Sequence, residues 1–436
     1  MMATENPLTG VTLPQETLPQ QSDTADSQSY HLLNKCFTFP NVDQEEWWNR
    51  TGPVLGKLLS DAKYDVQHQF QCLCFYALNV IPFLGPFKLS RTSGGYESSM
   101  GSRIGPFELS QNFTKDQSVI RMNFEATNHA TNTGRDQTNR VALDEAVSKF
   151  KLLRIGMNAD LYHALRNSFL VTDEEEKLAA KEIDLANFPC KTQHNISLDF
   201  KDGNVLVKLY LYPRLKSMIT GKPQKDIVLD AIRHAAGGAC DHSLEMMQNF
   251  LKTLPPTMDI ELLACDLIDP KKSRFKIYIF DLQVDFESIT RIWTLGGQLN
   301  DPETLYGLSL LKELWEAMNI PAGTRTMPDR VNREGDPPDR VPLCSNFEIF
   351  PGKRCPQPKI YLPTLGISDK AIADGLTNFF EKHGYTELAK SYSSQVSSLI
   401  PMYMPGSEIE TSTDFQAWVS FAYSEKTGPY TTIYYH

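Results

Sequence analysis

Hydrophobic and polar residues form two alternating patterns from residue 43 to the end of the 436-residue chain. Short runs with a period of two predict strands, and longer runs with a helical period predict helices. The strands come in adjacent pairs, which is typical of antiparallel hairpins rather than of a doubly wound parallel sheet. The predicted strands are 107–113, 119–125, 194–200, 205–212, 260–267, 274–280, 344–350, 358–362, 417–423 and 430–435.

Helical patterns separate these strand pairs, so that two helices and two strands form a unit that recurs about five times along the chain. Residues 1–30 are rich in Thr, Gln, Ser and Pro, a composition that predicts a disordered tail. The Pro- and charge-rich stretch 321–342 predicts a surface loop. No linker divides the remainder, so we expect a single domain over residues 31–436. The predicted helices are 43–59, 70–81, 139–153, 159–169, 174–183, 225–234, 243–254, 286–293, 302–318, 369–382 and 385–398.

Several predicted strands combine one aliphatic face with one face of cations and tyrosines. Side chains alternate across a strand, so residues two apart share a face. A single strand of this kind could simply present its polar face to solvent. The same order, a basic residue followed by a tyrosine, recurs in three separate strands and favours a shared interior. We therefore expect a closed barrel with amphipathic helices outside. The polar faces are Lys208, Tyr210 and Tyr212; Arg274, Lys276 and Tyr278; Lys359 and Tyr361; and Tyr430, Thr432 and Tyr434.

Such an interior favours one kind of ligand. Buried Arg and Lys side chains with almost no acids among them repel one another unless an anion compensates their charge. A diphosphate fits, because its oxygens accept charge-assisted hydrogen bonds. Tyrosine rings could stabilise a carbocation through their negative faces. Glu108, which shares a face with Ser110 and Asn112, could act as a hydrogen-bond acceptor and base, or could be an ordinary surface acid. Arg121 shares a face with Asn123 and Glu125 and could extend the ring of cations.

Composition excludes several other functions. A formal net charge of −10 and a pI near 5.5 argue against a general nucleic-acid binder. The chain has neither an apolar run of about 20 residues nor a signal-peptide pattern, and its 8 cysteines are scattered. We therefore expect no membrane association, and a cytoplasmic protein with reduced thiols. There is no phosphate-binding P-loop, no dinucleotide fingerprint and no DDxxD segment of the kind that binds diphosphate through magnesium.

Two other readings of the sequence remain open at this point. A non-catalytic protein could use the same barrel to bind an isoprenoid diphosphate, although an acid among the cations favours an enzyme. A metal hydrolase could use His234, Cys240 and His242, but their spacing matches no recognisable ligand set.

Six segments, spread over nearly the whole chain beyond the tail, carry a resemblance to a known family. The chain resembles the fungal aromatic prenyltransferases of the dimethylallyltryptophan synthase type, closest to those that act on cyclic dipeptides. The resemblance implies an α+β fold, the ABBA barrel, in which repeated ααββ units form a ten-stranded antiparallel β-barrel surrounded by helices. It also implies transfer of a dimethylallyl group from dimethylallyl diphosphate to an indole, in fungal indole alkaloid biosynthesis, without a metal or other cofactor. The segments are 105–110, 208–210, 272–278, 293–297, 358–363 and 430–434.

The resemblance implies a role for each matching residue. Glu108 matches the glutamate that holds the indole N–H and assists deprotonation, and Met100 is placed against the aromatic substrate. The cations that would grip the diphosphate are Arg121, Lys208, Arg274, Lys276 and Lys359, the last at a position where many relatives carry Gln. The tyrosines that would shield the dimethylallyl cation are Tyr210, Tyr278, Tyr361 and Tyr434, with Tyr430 nearby and Tyr434 also assigned to the diphosphate.

One departure from the family pattern bears on the acceptor. Family members that prenylate free tryptophan carry an Arg, thirteen residues before the diphosphate-binding Arg, that pairs with the amino-acid carboxylate. Counting back from Arg274 reaches Glu261, and an acid there would repel that carboxylate. We therefore expect an indole-containing cyclic dipeptide as the second substrate, with free L-tryptophan or another aromatic acceptor as the alternative.

Overall fold

A closed antiparallel barrel of ten strands is the centre of the fold. The computed structural model describes residues 27–87, 96, 98, 100, 105–115, 117–153, 155–179, 181, 185, 191–325 and 341–436. The strands are β1 (Phe107–Phe113), β2 (Ser118–Phe124), β3 (His194–Lys201), β4 (Asn204–Leu211), β5 (Met258–Asp266), β6 (Phe275–Asp281), β7 (Gln283–Val284), β8 (Gly323–Thr324), β9 (Leu343–Ile349), β10 (Gln357–Pro363), β11 (Gln416–Ser424) and β12 (Gly428–Tyr435).

Around the barrel the strands run in the order β1-β12-β11-β10-β9-β6-β5-β4-β3-β2, while β7 and β8 form a separate two-stranded sheet. Every neighbouring pair in the barrel is antiparallel. The ten predicted strands are the ten barrel strands, each to within two residues at either end. The predicted fold class is confirmed.

Helices surround the barrel and bury its outward, aliphatic faces. They are α1 (Gln28–Asn34), α2 (Val42–Asp61), α3 (Val66–Phe75), α4 (His129–Asn132), α5 (Val141–Leu152), α6 (Asp160–Phe169), α7 (Asp173–Ala179), α8 (Arg214–Thr220), α9 (Gln224–Ala236), α10 (Asp241–Leu251), α11 (Phe286–Trp293), α12 (Pro302–Met318), α13 (Asp369–Lys382) and α14 (Thr386–Tyr403). The order of elements repeats helices followed by a hairpin five times, as the ααββ pattern predicts.

Local sequence signals account for the helix boundaries. The Asp301 side chain caps α12 by accepting a hydrogen bond from the Thr304 N–H at 3.0 Å, and Pro302 occupies the first turn, where no N–H is required. The helix ends at Asn319, whose φ of 48° is left-handed. These signals determine where α12 begins and ends, and the helix packs beside α13 and over β11.

Several predicted boundaries differ from the structure. The helix predicted to end at 398 continues as α14 to Tyr403, α10 ends at Leu251 rather than at 254, and β8 lies within the predicted loop 321–342.

Two other differences have a visible cause. The tail does not extend to residue 30, because α1 begins at Gln28 with Ser27 as its cap, and the Tyr30 ring packs 5.1 Å from that of Trp48. A helix of 7 residues is too short to produce a periodic pattern. The helix predicted at 70–81 begins at Val66, because Asp65 caps it, and widens into a π-helical turn over Tyr76–Val80.

Parts of three predictions lie outside the described residues: the tail over 1–26, the helix end at 180 and 182–183, and the loop over 326–340. Among the helices that the structure describes, none is both long and apolar enough to cross a membrane.

Candidate active site

The barrel interior contains a cavity of about 480 Å³, lined by side chains from all ten barrel strands. Volumes of this order suit small-molecule substrates. The structure places every residue predicted for the site on this cavity wall. They are Met100, Glu108, Arg121, Lys208, Tyr210, Arg274, Lys276, Tyr278, Lys359, Tyr361, Tyr430 and Tyr434.

Strand register arranges these residues in levels along the barrel. Lys208 is opposite Asp266 on β5, while Tyr210, two residues further, is opposite Ala264. Because residues two apart share a face, one level of cations lies at one end of the cavity and a level of tyrosines lies above it. We call the level formed by Arg121, Lys208, Arg274, Lys276 and Lys359 the cationic end.

Three buried carboxylates lie among these cations, contrary to the expectation of an interior almost without acids. Asp199 pairs with Lys208 and lies 3.2 Å from Nε of Arg121. Nε of Arg274 lies 3.0 Å from Asp266, and its Nη1 lies 2.8 Å from Glu348. The sequence pattern missed these acids because each lies on a strand beside the cation it contacts, and the register that joins them is not visible along one strand.

Lys276 and Lys359 are less closely paired. Nζ of Lys276 lies 3.9 Å from Glu348, and Nζ of Lys359 lies 3.5 Å from Thr432 Oγ1, its one polar contact in the part of the chain that the structure describes. The Lys359 ammonium instead lies 4.7 Å from the ring centre of Tyr430 and 5.4 Å from that of Tyr361. The cationic end therefore contains five basic side chains against three carboxylates.

The pKa values reflect this crowding. Burial, together with the charges of Arg121 and Lys276, lowers the pKa of Lys208 to about 7 despite Asp199. Burial and neighbouring cations also lower the pKa values of Lys276 and Lys359. Burial would raise the pKa of Glu348, but Lys276 and Arg274 outweigh it and lower that pKa to about 2. An anion in this space would return the lysines to their charged form.

Four tyrosines form a continuous row above the cationic end, which we call the tyrosine row: Tyr210, Tyr278, Tyr361 and Tyr434. Ring centres of successive members are 5.9, 5.8 and 5.8 Å apart. The rings meet across intervening strands because those strands carry the small residues Ala264, Asn346 and Ser420 at the same level. Burial raises the pKa of Tyr210 to about 12 and raises the pKa values of the other three well above their ordinary value, so all four rings are neutral.

Tyr430 belongs to the cationic end rather than to the row. Its hydroxyl accepts a hydrogen bond from Nη2 of Arg121 at 2.6 Å. Tyr434 lies further along β12, with its ring centre 5.8 Å from that of Tyr361. The Tyr430 hydroxyl thus lies beside the cations, and the Tyr434 ring lies beside Tyr361.

Beyond the tyrosine row, the described part of the cavity wall combines polar and apolar side chains. Glu108 is 8% exposed and lies opposite Asn123 on β2. Asn195 donates a hydrogen bond to the Tyr212 hydroxyl at 2.9 Å, and Met100 and Trp418 also line this part. His436, which sequence reasoning missed, places its Nε2 3.1 Å from Oε2 of Glu108. His436 directly follows the predicted strand 430–435, and no neighbouring motif in the sequence indicates a functional role for it.

Residues 43–395 match the family described as tryptophan dimethylallyltransferase. The chain belongs to this family. It is 41% identical to prenyltransferase nanD of Aspergillus nanangensis over 93% of this chain and 95% of that one. It is 36% identical to the roquefortine prenyltransferase roqD of Penicillium rubens over 96% and 97% of the two chains.

Solved structures agree with this membership. AnaPT from Neosartorya fischeri superposes with a TM-score of 0.82 at 31% identity, over 94% of this chain and 97% of that one. NotF in complex with brevianamide F and DMSPP superposes with a TM-score of 0.81 at 27% identity, over 94% and 98% of the chains.

Membership of the dimethylallyltransferase family makes the chain a prenyltransferase, so the enzyme interpretation is confirmed over a binding protein. The residues considered for a metal hydrolase have other contacts: Cys240 is buried, and Nδ1 of His242 lies 2.8 Å from the Arg354 carbonyl oxygen. Within the described part of the chain, no three His, Cys, Asp or Glu side chains are grouped as metal ligands.

Glu261 occupies an irregular position in this dimethylallyltransferase. It lies at a bulge in β5 between Ile260 and the cavity residue Leu262, and its charge acts on the buried Cys344 thiol. Burial raises its pKa to about 7, with a small opposing effect from Arg214. Glu261 is therefore partly protonated near neutral pH, and it repels a carboxylate less than a permanently charged acid would. Even when protonated, Glu261 provides no positive charge to pair with a substrate carboxylate.

We expect Glu261→Gln to stabilise the enzyme increasingly as the pH rises. The folded-state pKa of Glu261, about 7, is above the ordinary value of 4.5, so ionising it disfavours the folded state. The wild type should therefore lose stability, relative to the variant, between pH 4.5 and 8. Thermal unfolding midpoints over this range test the difference. The exposed Glu245→Gln serves as the control, and a Glu261→Gln effect that is constant with pH would contradict the prediction.

Proposed function

We propose that this protein transfers a dimethylallyl group from dimethylallyl diphosphate to the indole ring of a tryptophan-containing cyclic dipeptide. The observation that carries the proposal is the sequence of levels in one cavity: a cationic end, a tyrosine row, and Glu108 beyond it. Each level suits one part of the two substrates. We infer that residues 31–436 form the catalytic domain, with 27–30 packed onto it.

The cationic end would bind the diphosphate. Arg121, Lys208 and Arg274 are already held in place by carboxylates, so little ordering is required when the anion arrives. Lys276 and Lys359 have the loosest partners and are free to turn toward phosphate oxygens. The Tyr430 hydroxyl lies beside Arg121 and would add a donor.

The tyrosine row would protect the cation formed next. The C–O bond of dimethylallyl diphosphate breaks, and its electron pair leaves with the diphosphate. Neutral tyrosine faces stabilise the allylic cation by roughly 0.5–2 kcal/mol each, and the ring walls exclude water that would quench it. An indole carbon then donates its π-electron pair to form the new C–C bond, and the alkylated acceptor loses one proton.

Glu108 would hold the acceptor and take up that proton. Its carboxylate accepts the indole N–H hydrogen bond, which orients the ring toward the tyrosine row. Met100 and Trp418 provide apolar wall beside it. The proton lost by the acceptor therefore goes to Glu108. It does not reach the cationic end, where the lysines and arginines bind the diphosphate.

A cyclic dipeptide suits this part of the cavity better than free L-tryptophan. The relative roqD is named a roquefortine prenyltransferase, and NotF was solved with brevianamide F, a tryptophan-containing cyclic dipeptide. At the position where a carboxylate would need a cation, this chain has Glu261. We therefore propose a role in fungal indole alkaloid biosynthesis, with free L-tryptophan or another aromatic acceptor as a poorer substrate.

The seven described cysteines are all unpaired, as suits a cytoplasmic enzyme.

Incubation with dimethylallyl diphosphate and brevianamide F should release diphosphate and yield a prenylated product, identified by mass and NMR.

Glu108→Gln should lower kcat/KM for the acceptor by about 100-fold or more, because it removes the proton acceptor but keeps the shape. Its KM for dimethylallyl diphosphate should change little. Near-wild-type turnover by Glu108→Gln would remove the proposed role, and a preference for free tryptophan would favour the alternative acceptor.

We also expect turnover to persist in EDTA. Five cationic side chains can neutralise the leaving diphosphate as a metal ion would. Initial rates with EDTA, and with added Mg²⁺ as the control, measure this. Loss of activity in EDTA that Mg²⁺ restores would contradict metal-independent transfer.

Binding of dimethylallyl thiolodiphosphate should take up protons above neutral pH. Lys208, with a pKa of about 7, is mostly neutral at pH 8 and would regain its proton beside the anion, an uptake of up to about one proton. Affinity should correspondingly fall as the pH rises from 7 to 9. Calorimetric titration in buffers of different ionisation enthalpy measures the uptake. Lys208→Met should not take up this proton. Equal proton uptake by the wild type and by Lys208→Met would refute the assignment to Lys208.

A further inference from the structure

Among the described residues, Glu108 has one side-chain hydrogen-bond partner, His436. Nε2 of the imidazole lies 3.1 Å from Oε2 of the carboxylate. Glu108 is 8% exposed and His436 is 6% exposed, and both line the cavity. A contact between two ionisable groups so thoroughly removed from water restricts both side chains.

The barrel itself brings these residues together. Across the β1–β12 pair, Ser110 lies opposite Tyr434 and Leu109 opposite Tyr435, so the next position sets Glu108 against His436. The His436 backbone N–H donates to the Phe415 carbonyl at 3.0 Å. Stacking of Tyr435 on Phe415, with ring centres 4.9 Å apart, fixes the same segment from the outer side. The backbone that carries the imidazole is therefore held from two directions.

Neighbouring groups leave the carboxylate few other restraints. Asn123 lies opposite Glu108 on β2, and Tyr434 is the titratable side chain two residues before His436. Arg121 lies opposite Ser110, one level nearer the cationic end, where it pairs with Asp199. No salt bridge joins Glu108 to an Arg or Lys among the described residues. A carboxylate restrained only by its own chain would sample several rotamers.

We propose that His436 is a positioning residue for Glu108. Its Nε2–H donates to Oε2, which fixes the carboxylate plane and leaves Oε1 directed at the acceptor's indole N–H. Nε2 is the protonated nitrogen because an ionised carboxylate can only accept. This inference rests on the proposed function, since it assumes that Glu108 binds the acceptor. His436 acts on the acceptor through Glu108 and has no part in binding the diphosphate.

Replacing His436 tests the inference. His436→Leu removes the donor, and His436→Gln restores an N–H donor on a side chain of similar reach. His436→Leu should lower kcat/KM for the cyclic dipeptide by about 10- to 100-fold, the effect of losing a hydrogen bond to a charged group. The KM for dimethylallyl diphosphate should be unchanged, and His436→Gln should recover most of the loss. Tyr435→Phe, on the outward face of the same strand, controls for disturbance of the strand end.

A double-mutant cycle separates positioning from a merely structural role. If His436 acts through Glu108, adding His436→Leu to Glu108→Gln should cause no further loss. Equal losses in the two backgrounds, or a wild-type rate in His436→Leu, would overturn the inference. Unfolding midpoints of the variants identify any loss caused by misfolding, which His436→Gln should not share.

A measurement without turnover keeps this inference distinct from the proposed function. In protein labelled with ¹⁵N-histidine, the His436 signal, assigned by its loss in His436→Gln, should show a proton on Nε2. An unprotonated Nε2 would overturn the positioning role even if cyclic dipeptides are prenylated. Conversely, failure of every cyclic dipeptide to react, with Nε2 protonated, would count against the proposed function alone.

Discussion

Burial of several cations in one closed space is the constraint on which the rest of this structure depends. Arg121 and Arg274 remain charged in the lumen, and Lys208 keeps part of its charge, because Asp199, Asp266 and Glu348 come from neighbouring strands at the same level. Removing one member of such a pair would leave a buried charge uncompensated. The carboxylates also keep the net positive charge of the lumen below that of five unpaired cations. The lumen is thus stable when empty and still attractive to an anion.

The tyrosine row depends on a second constraint, the spacing between strands. Rings on every second strand touch more readily where a short side chain on the strand between them leaves room. Ala264, Asn346 and Ser420 fill these positions, and the Tyr278 and Tyr361 hydroxyls come within 3.2 Å of each other. Asn346 also donates to the Tyr361 hydroxyl at 2.9 Å, so ring orientation is fixed as well as position. A continuous aromatic wall therefore requires small residues as much as tyrosines.

Much of this arrangement is visible in the sequence, because a strand's face is encoded by alternate residues. The order Lys208, Tyr210 and the order Lys276, Tyr278 predict both the strands and their inward faces correctly. Contacts between strands are not encoded in that way. Asp199 is nine residues from Lys208 in sequence, and His436 is 328 from Glu108. Only the closed register shows that these residues meet, so the compensating acids and the histidine were invisible to a pattern read along the chain.

Closure of the barrel joins β1 to β12, the first and last of its strands along the chain. Glu108 and His436 lie on opposite sides of that seam, so neither the cavity wall nor their contact exists until synthesis has passed the final strand. A partly made chain can bring Lys208 and Tyr210 into a hairpin, but it cannot enclose a reactive cation. The topology thereby makes the enclosed cavity an all-or-none feature, absent until β12 has paired with β1.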